Sequence, residues 1–255
     1  MGAAMPKLTA TFDGSFDGFL CIVHAFYYEK IEPLFIQSDG DYQQSLETEE
    51  YYIATDFDKA MKVLLGIRRK ISVQAEDYLT FAFLATDEGR FMDMFRYVVL
   101  GFKVGRAVDD YMQLDYVLGV HKRARYVGRE AHLLSGFCRF SETQSGVFYC
   151  DISPVNDVLQ VLAEHFSDRM IGQAWVIHDK GRNRAAVYDS QRYIICDVPK
   201  DVQVEYVDRE GLIKDLWGTF FNSVTIKSRI NKKLQQNHLP LRFRKYMTEF
   251  NLTTE

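Results

Sequence analysis

The stretch from Arg129 to Asp179 constrains the fold most, because helix and strand signals alternate along it with short turns between them. REAHLLSGFCRF (Arg129 to Phe140) ends a helix and starts a strand, where Phe137, Arg139 and Phe140 alternate with small or polar neighbours. Thr143 to Gly146 reads as a hairpin loop into a short apolar strand, Val147 to Asp151. Ser153-Pro154 reads as a helix start, with the hydroxyl as N-cap and proline at the first helical position, where its missing N–H is not needed. The helix that follows carries Val155, Val158, Leu159, Leu162 and Phe166 as its buried face. Trp175 to Ile177 and Arg184 to Tyr188 are further strands, joined by a turn around Lys180-Gly181. The strands Val147 to Asp151, Trp175 to Ile177 and Arg184 to Tyr188 are therefore expected in one antiparallel sheet, with Pro154 to Arg169 packed on it.

Before this stretch, Leu8 to Phe12 reads as a strand, Asp13-Gly14 as a turn, and Ser15 as the cap of a helix carrying Phe19, Leu20, Val23, Phe26 and Tyr27. Ile36 to Glu50 is polar and reads as a loop. Thr55 is expected to cap a helix through about Lys70. Helices follow over about Val73 to Ala85 and Gly89 to Lys103, with Tyr78, Phe81, Phe91, Phe95 and Phe102 assigned to the core. From about Asp110 a long helix presents Val117, Val120, Ala124, Val127, Ala131 and Leu134 at steps of three and four, a continuous apolar seam. Another helix begins after Asp208, and Pro240 starts a short final one. The fold class is α+β: a mainly helical first half, and a small antiparallel sheet with packed helices in the second half. The chain reads as a single domain over residues 1–255, with a helical subregion at 55–110 and an α+β subregion at 111–255.

With 255 residues, 47% of them apolar, the chain can bury a sizeable core. Its net charge of −4 is unevenly spread: −8 from Met1 to Asp115 and +4 from Tyr116 to Glu255. Four widely spaced cysteines form no C-x-x-C pair, which fits free thiols in a reducing cytoplasm and gives no iron–sulfur or zinc spacing. No apolar segment approaches the ~20 residues of a membrane span, and no signal-peptide pattern opens the chain. Walker, G-x-G-x-x-G, G-x-S-x-G and H-E-x-x-H motifs are absent, so no cofactor is evident.

The candidate chemistry lies at element ends. His132 and His165 are candidate acid–base groups because imidazole titrates near neutrality, and Asp179 is a candidate carboxylate at a strand end. Glu130, Arg139 and His178 are scattered among the same blocks. No metal set is assigned, because His132, His165 and Asp179 lack a local ligand spacing. His121, Arg125, Arg129 and His132 fall at steps of four, four and three, a basic stripe that reads either as a solvated flank or as an anion groove. Arg169, one turn after His165, joins the anion candidates. The tail from Thr225 to Tyr246 holds seven Lys/Arg and no acid, among them Lys232, Lys233, Arg242, Arg244 and Lys245, with Phe243 and Tyr246 interleaved.

DGSFDGFL (Asp13 to Leu20), REAH…GF-RF, HF-x-x-R and W-x-I-x-D, with the later LWGTFFNSVTIKSRINKKLQ and LPLRFRKYMTEF, resemble a bacterial family of DNA metabolism or DNA repair proteins. The resemblance spans nearly the whole chain. It departs from the family at Leu133, where a basic residue is common, and at Arg244, where an aromatic is common. It implies proximity to a radical S-adenosylmethionine (radical SAM) protein, and in some members fusion to a uracil-DNA glycosylase domain. Three readings stand: a DNA-repair or DNA-metabolism factor that binds nucleic acid or such a partner; an enzyme acting on a nucleotide or damaged base through His132, His165, Arg169 and Asp179; and a structural partner subunit. A convergent polar cleft favours the enzyme, a flat basic surface the DNA-binding factor, and a large exposed apolar patch the subunit.

Overall fold

A computed structural model describes residues 8–41, 48–199, 202–224 and 239–251 of the chain, which divides into two units, Met1–Gly128 and Arg129–Glu255. The fold is α+β, with a parallel sheet in the first unit and a mixed sheet in the second. No described helix is long and apolar enough to cross a membrane.

The first unit is built on a three-stranded sheet of order β2-β1-β3, with β1 at Leu8–Phe12, β2 at Phe35–Ser38 and β3 at Glu49–Tyr52. Both neighbours run parallel to β1. The segment Ile36 to Glu50, expected as a loop, thus contributes most of β2 and the first residues of β3. Its polar residues hid the strands, because β3 is exposed along its whole length and lacks the alternation that marks a half-buried strand. Helix α1 (Phe16–Glu29) is capped by the Ser15 hydroxyl, which accepts from the Gly18 amide, as expected. The DGSFDGFL block ties this turn down. Asp13 accepts from the Ser15 amide and hydroxyl and from the Thr55 hydroxyl. Gly18 is required by close approach, since a Cβ there would collide with the Asp13 carboxylate and the Thr55 hydroxyl.

Thr55 is therefore a bracing residue. The cap of α2 (Phe57–Gly66) is Asp56, which accepts from the Asp58 and Lys59 amides. A π-helical turn at Ile67–Ile71 leads to α3 (Val73–Phe83), followed by α4 (Arg90–Val104) and α5 (Asp115–Phe137). Phe12, Phe19, Phe91 and Phe95 are buried in the core, and Tyr78 and Phe102 pack partly buried against it. The α5 seam is buried at Val117, Val120, Ala124, Val127, Ala131 and Leu134, as its spacing predicts.

The second unit holds a five-stranded sheet of order β4-β5-β6-β7-β8: Ser141–Glu142, Phe148–Ile152, Trp175–Asp179, Arg184–Tyr188 and Tyr193–Asp197. The three expected strands do share it, but the sheet is mixed: β5 and β6 run parallel, and the other pairs are antiparallel. The reason is α6 (Leu159–Arg169), which carries the chain back along the sheet so that β6 repeats the direction of β5. Helix α6 buries Leu159, Leu162 and Phe166, at roughly 1.5–3 kcal/mol for each large apolar side chain. Its start corrects the sequence reading: the helix begins five residues after Pro154, and Val155 is exposed.

Glu130 replaces the expected proline start. Buried on α5, it accepts from the Val155 amide at 3.0 Å, the Asn156 amide at 2.8 Å and Asn156 Nδ2 at 2.7 Å, and so fixes the loop into α6. Helix α7 (Arg209–Val224) and two short helices, α8 (Leu241–Arg244) and α9 (Thr248–Asn251), complete the described unit. The buried Glu249 side chain accepts from Arg139 at 2.7 Å and from Trp217 Nε1 at 3.2 Å.

Candidate functional site

The two faces of the second sheet differ. Strand alternation puts Cys150, Ile152, Trp175, Ile177 and Ala186 on the face toward α6. It puts Tyr149, Asp151, Val176, His178 and Ala185 on the other. This second face opens into a cleft of about 220 Å³ whose walls include Arg139, Tyr149, Asp151, Tyr206, Lys214 and Tyr246. A larger cavity of about 590 Å³, lined by Val147, Val176, His178 and Val187 among others, lies against the same face and shares Tyr149 as a wall.

Tyr149 joins the two. Its hydroxyl lies 2.6 Å from His178 Nδ1, and Asp151 Oδ1 lies 3.8 Å from the same nitrogen. His178 is fully buried, and its Nε2 has no hydrogen-bond partner among the described residues. Burial lowers the His178 pKa, Lys180 lowers it further, and Asp151 and Asp179 only partly oppose this, so the ring is neutral at physiological pH. Burial first, and then the Asp151 carboxylate, push the Tyr149 phenol far above the usual tyrosine range. The same two causes raise the Tyr206 phenol. Both phenols therefore stay protonated and can donate. The Lys214 ammonium sits 4.7 Å above the Tyr206 ring, and Lys245 5.0 Å above the Tyr246 ring. The cleft thus combines hydroxyls, a carboxylate, cations and aromatic faces.

Few of the candidates from sequence belong to it. Asp179 is buried and fully used: Oδ1 accepts from the Gly181 and Arg182 amides, and Oδ2 pairs with Arg182 at 2.9 Å. It is a turn aspartate, and as a β6 neighbour of His178 it points to the opposite face. His132 on α5, and His165 and Arg169 on α6, are exposed and are absent from the cleft wall. The His165 ring rests on Phe166.

The basic stripe also divides. His121 is paired with Asp109 at 2.9 Å beside the Tyr97 hydroxyl, so it serves a carboxylate inside the first unit rather than an open anion site. Arg125 and Arg129 are exposed. In the tail, Arg242 approaches Glu130 at 3.4 Å, Arg244 donates to the Leu239 carbonyl and lies over Phe250, and Lys245 lies over Tyr246. Lys232 and Lys233 lie outside the described residues. No cluster of metal-ligating side chains occurs among the described residues, and the cysteines Cys21, Cys138, Cys150 and Cys196 are free.

Of the scattered polar residues, His178 and Arg139 are the ones that reach the cavities. Sequence reasoning missed Tyr149 and Asp151. The signal was the strand FYCDI itself, apolar at Phe148, Cys150 and Ile152 and polar at the alternate positions.

A family model described as a domain of unknown function, DUF4130, matches residues 88–249, well over half of the chain. No curated protein matches it.

Proposed function

We propose that this chain, which belongs to the DUF4130 family, serves DNA metabolism by binding single-stranded nucleic acid through its second unit. One observation carries the reading: Tyr206 and Tyr246 line the cleft, with the Lys214 ammonium over the first ring and Lys245 over the second. Cations beside aromatic faces suit a phosphate backbone with stacked bases. The exposed Arg129, Arg242 and Lys245 of the same unit supply further charge for the backbone. A radical SAM enzyme or a uracil-DNA glycosylase is the proposed partner in the cell. The α7 side chains Leu212, Leu216 and Phe220, one turn apart and more than half exposed, offer such a partner an apolar face.

A second reading, an enzyme acting on a nucleotide, is favoured by the Tyr149–His178 hydrogen bond beside Asp151, an arrangement suited to moving a proton. In this reading the acid–base groups are Asp151, Tyr149 and His178, in place of His132, His165 and Asp179.

The test is anisotropy of labelled single- and double-stranded DNA of equal length at several salt concentrations. Binding should weaken with salt, with a log–log slope of about −0.7 per contacted phosphate for single strands and about −0.9 for duplex. Lys214→Ala/Tyr246→Ala should weaken single-strand binding more than duplex binding. No binding at low salt, or binding indifferent to the double variant, overturns the reading. Turnover of a nucleotide that is lost in Asp151→Asn would establish the second.

A further inference from the structure

Asp151 is short of donors. Its side chain is 30% exposed at the cleft, yet Oδ1 is buried and meets no donor in hydrogen-bonding geometry among the described residues. The nearby Tyr149 hydroxyl lies 2.6 Å from His178 Nδ1. With Oδ1 turned inward, the exposed edge of the carboxylate faces the cleft. An ionised carboxylate only accepts, so this edge discriminates among ligands by demanding an N–H or O–H at one place.

We propose that the cleft is a base-reading subsite for cytosine, whose exocyclic amino group donates to Asp151 while its ring lies against Tyr206 and Tyr246. This deepens the nucleic-acid reading above and rests on it. Cytosine N4 is the amino group that acidic side chains accept from in base recognition. Thymine carries a carbonyl oxygen at the same position, which the carboxylate repels. The cleft volume of about 220 Å³ lies below the ~300–1,000 Å³ of ordinary ligand pockets and favours one ring over two. Lys214 stands in the same wall, placed to take the phosphate of the bound nucleotide.

The experiment uses the full chain with fluorescein-labelled oligo(dC) and oligo(dT) of one length at pH 8, where cytosine N3 is unprotonated. Wild type should bind oligo(dC) about tenfold more tightly, the size of one charge-assisted hydrogen bond. Asp151→Asn, whose amide donates as well as accepts, should bring the ratio close to one. Competition with dCMP and dTMP against the wild-type complex repeats the test without a variant, and dCMP should displace the oligonucleotide at about tenfold lower concentration. Equal wild-type affinities for the two oligonucleotides, equal displacement by the two mononucleotides, or a ratio that Asp151→Asn leaves unchanged overturns the cytosine subsite alone. Failure to bind either oligonucleotide overturns the subsite and the nucleic-acid reading together.

Discussion

Asp151 and His178 face each other across the parallel pair β5–β6 as direct register partners, and the Tyr149 hydroxyl bonds the imidazole from two residues up the same strand. Burial depresses the His178 pKa, so the folded state holds this proton more weakly than the unfolded chain does. Stability therefore rises with pH through the window below the unfolded histidine value of about 6.5, and is lost as the solution is acidified through it. His178→Gln should flatten the thermal midpoint between about pH 5 and 7 relative to wild type. An unchanged slope would assign the acid sensitivity elsewhere.

Glu130 holds three donors of the loop into α6 from a buried position. Glu130→Ala strands those donors and should cost about 3–5 kcal/mol, read as a fall in the urea midpoint. Arg242→Ala removes only the 3.4 Å, partly exposed ion pair to the same carboxylate. Its cost should stay within about 0.2–1 kcal/mol. Equal costs for the two substitutions would refute the loop-anchoring role.

Arg139 and Glu249 form a buried-end pair joined by Trp217. Burial pushes the Glu249 carboxyl up, but the Arg139 hydrogen bond and the smaller contacts outweigh it, so the folded pKa lies below the ordinary value. The pair's stabilisation is then fully present above the unfolded glutamate value of about 4.3 and lost as pH falls through the lowered folded value. Arg139→Met leaves a desolvated charge and should cost about 3–5 kcal/mol at pH 7. Part of that loss should be recovered on acidification to about pH 5, because the uncompensated carboxyl then takes up a proton. Urea titrations at the two pH values check the sign.

Gly101 lies in the interior of α4 where a Cβ would run into the Ile71 side chain. Gly101→Ala gains helix propensity of about 1 kcal/mol but overpacks a buried contact, which costs about 1–3 kcal/mol. A net loss is expected in the single variant. Ile71→Val in the same chain should recover part of it, and a double-mutant cycle measures the coupling. Strict additivity would show that the two positions do not touch.

By itself the sequence determined the elements whose signals are local. The α5 seam, the Ser15 cap and the strands around Trp175 and Arg184 follow from spacing and side-chain chemistry within a few residues. Strands without alternation escaped it, as at Glu49–Tyr52, and so did a helix start set by a distant residue, as Glu130 sets the loop before Leu159. The direction of β6 was decided by a crossover helix rather than by any turn residue. The site was decided the same way. His178 and Asp179 are neighbours in sequence, but a strand turns them to opposite faces, one to Tyr149 and the cavity, the other to Arg182 and its turn. Only the pairing of β5 with β6 brings Asp151 to His178 across a gap of 27 residues, and no local pattern encodes a contact of that range.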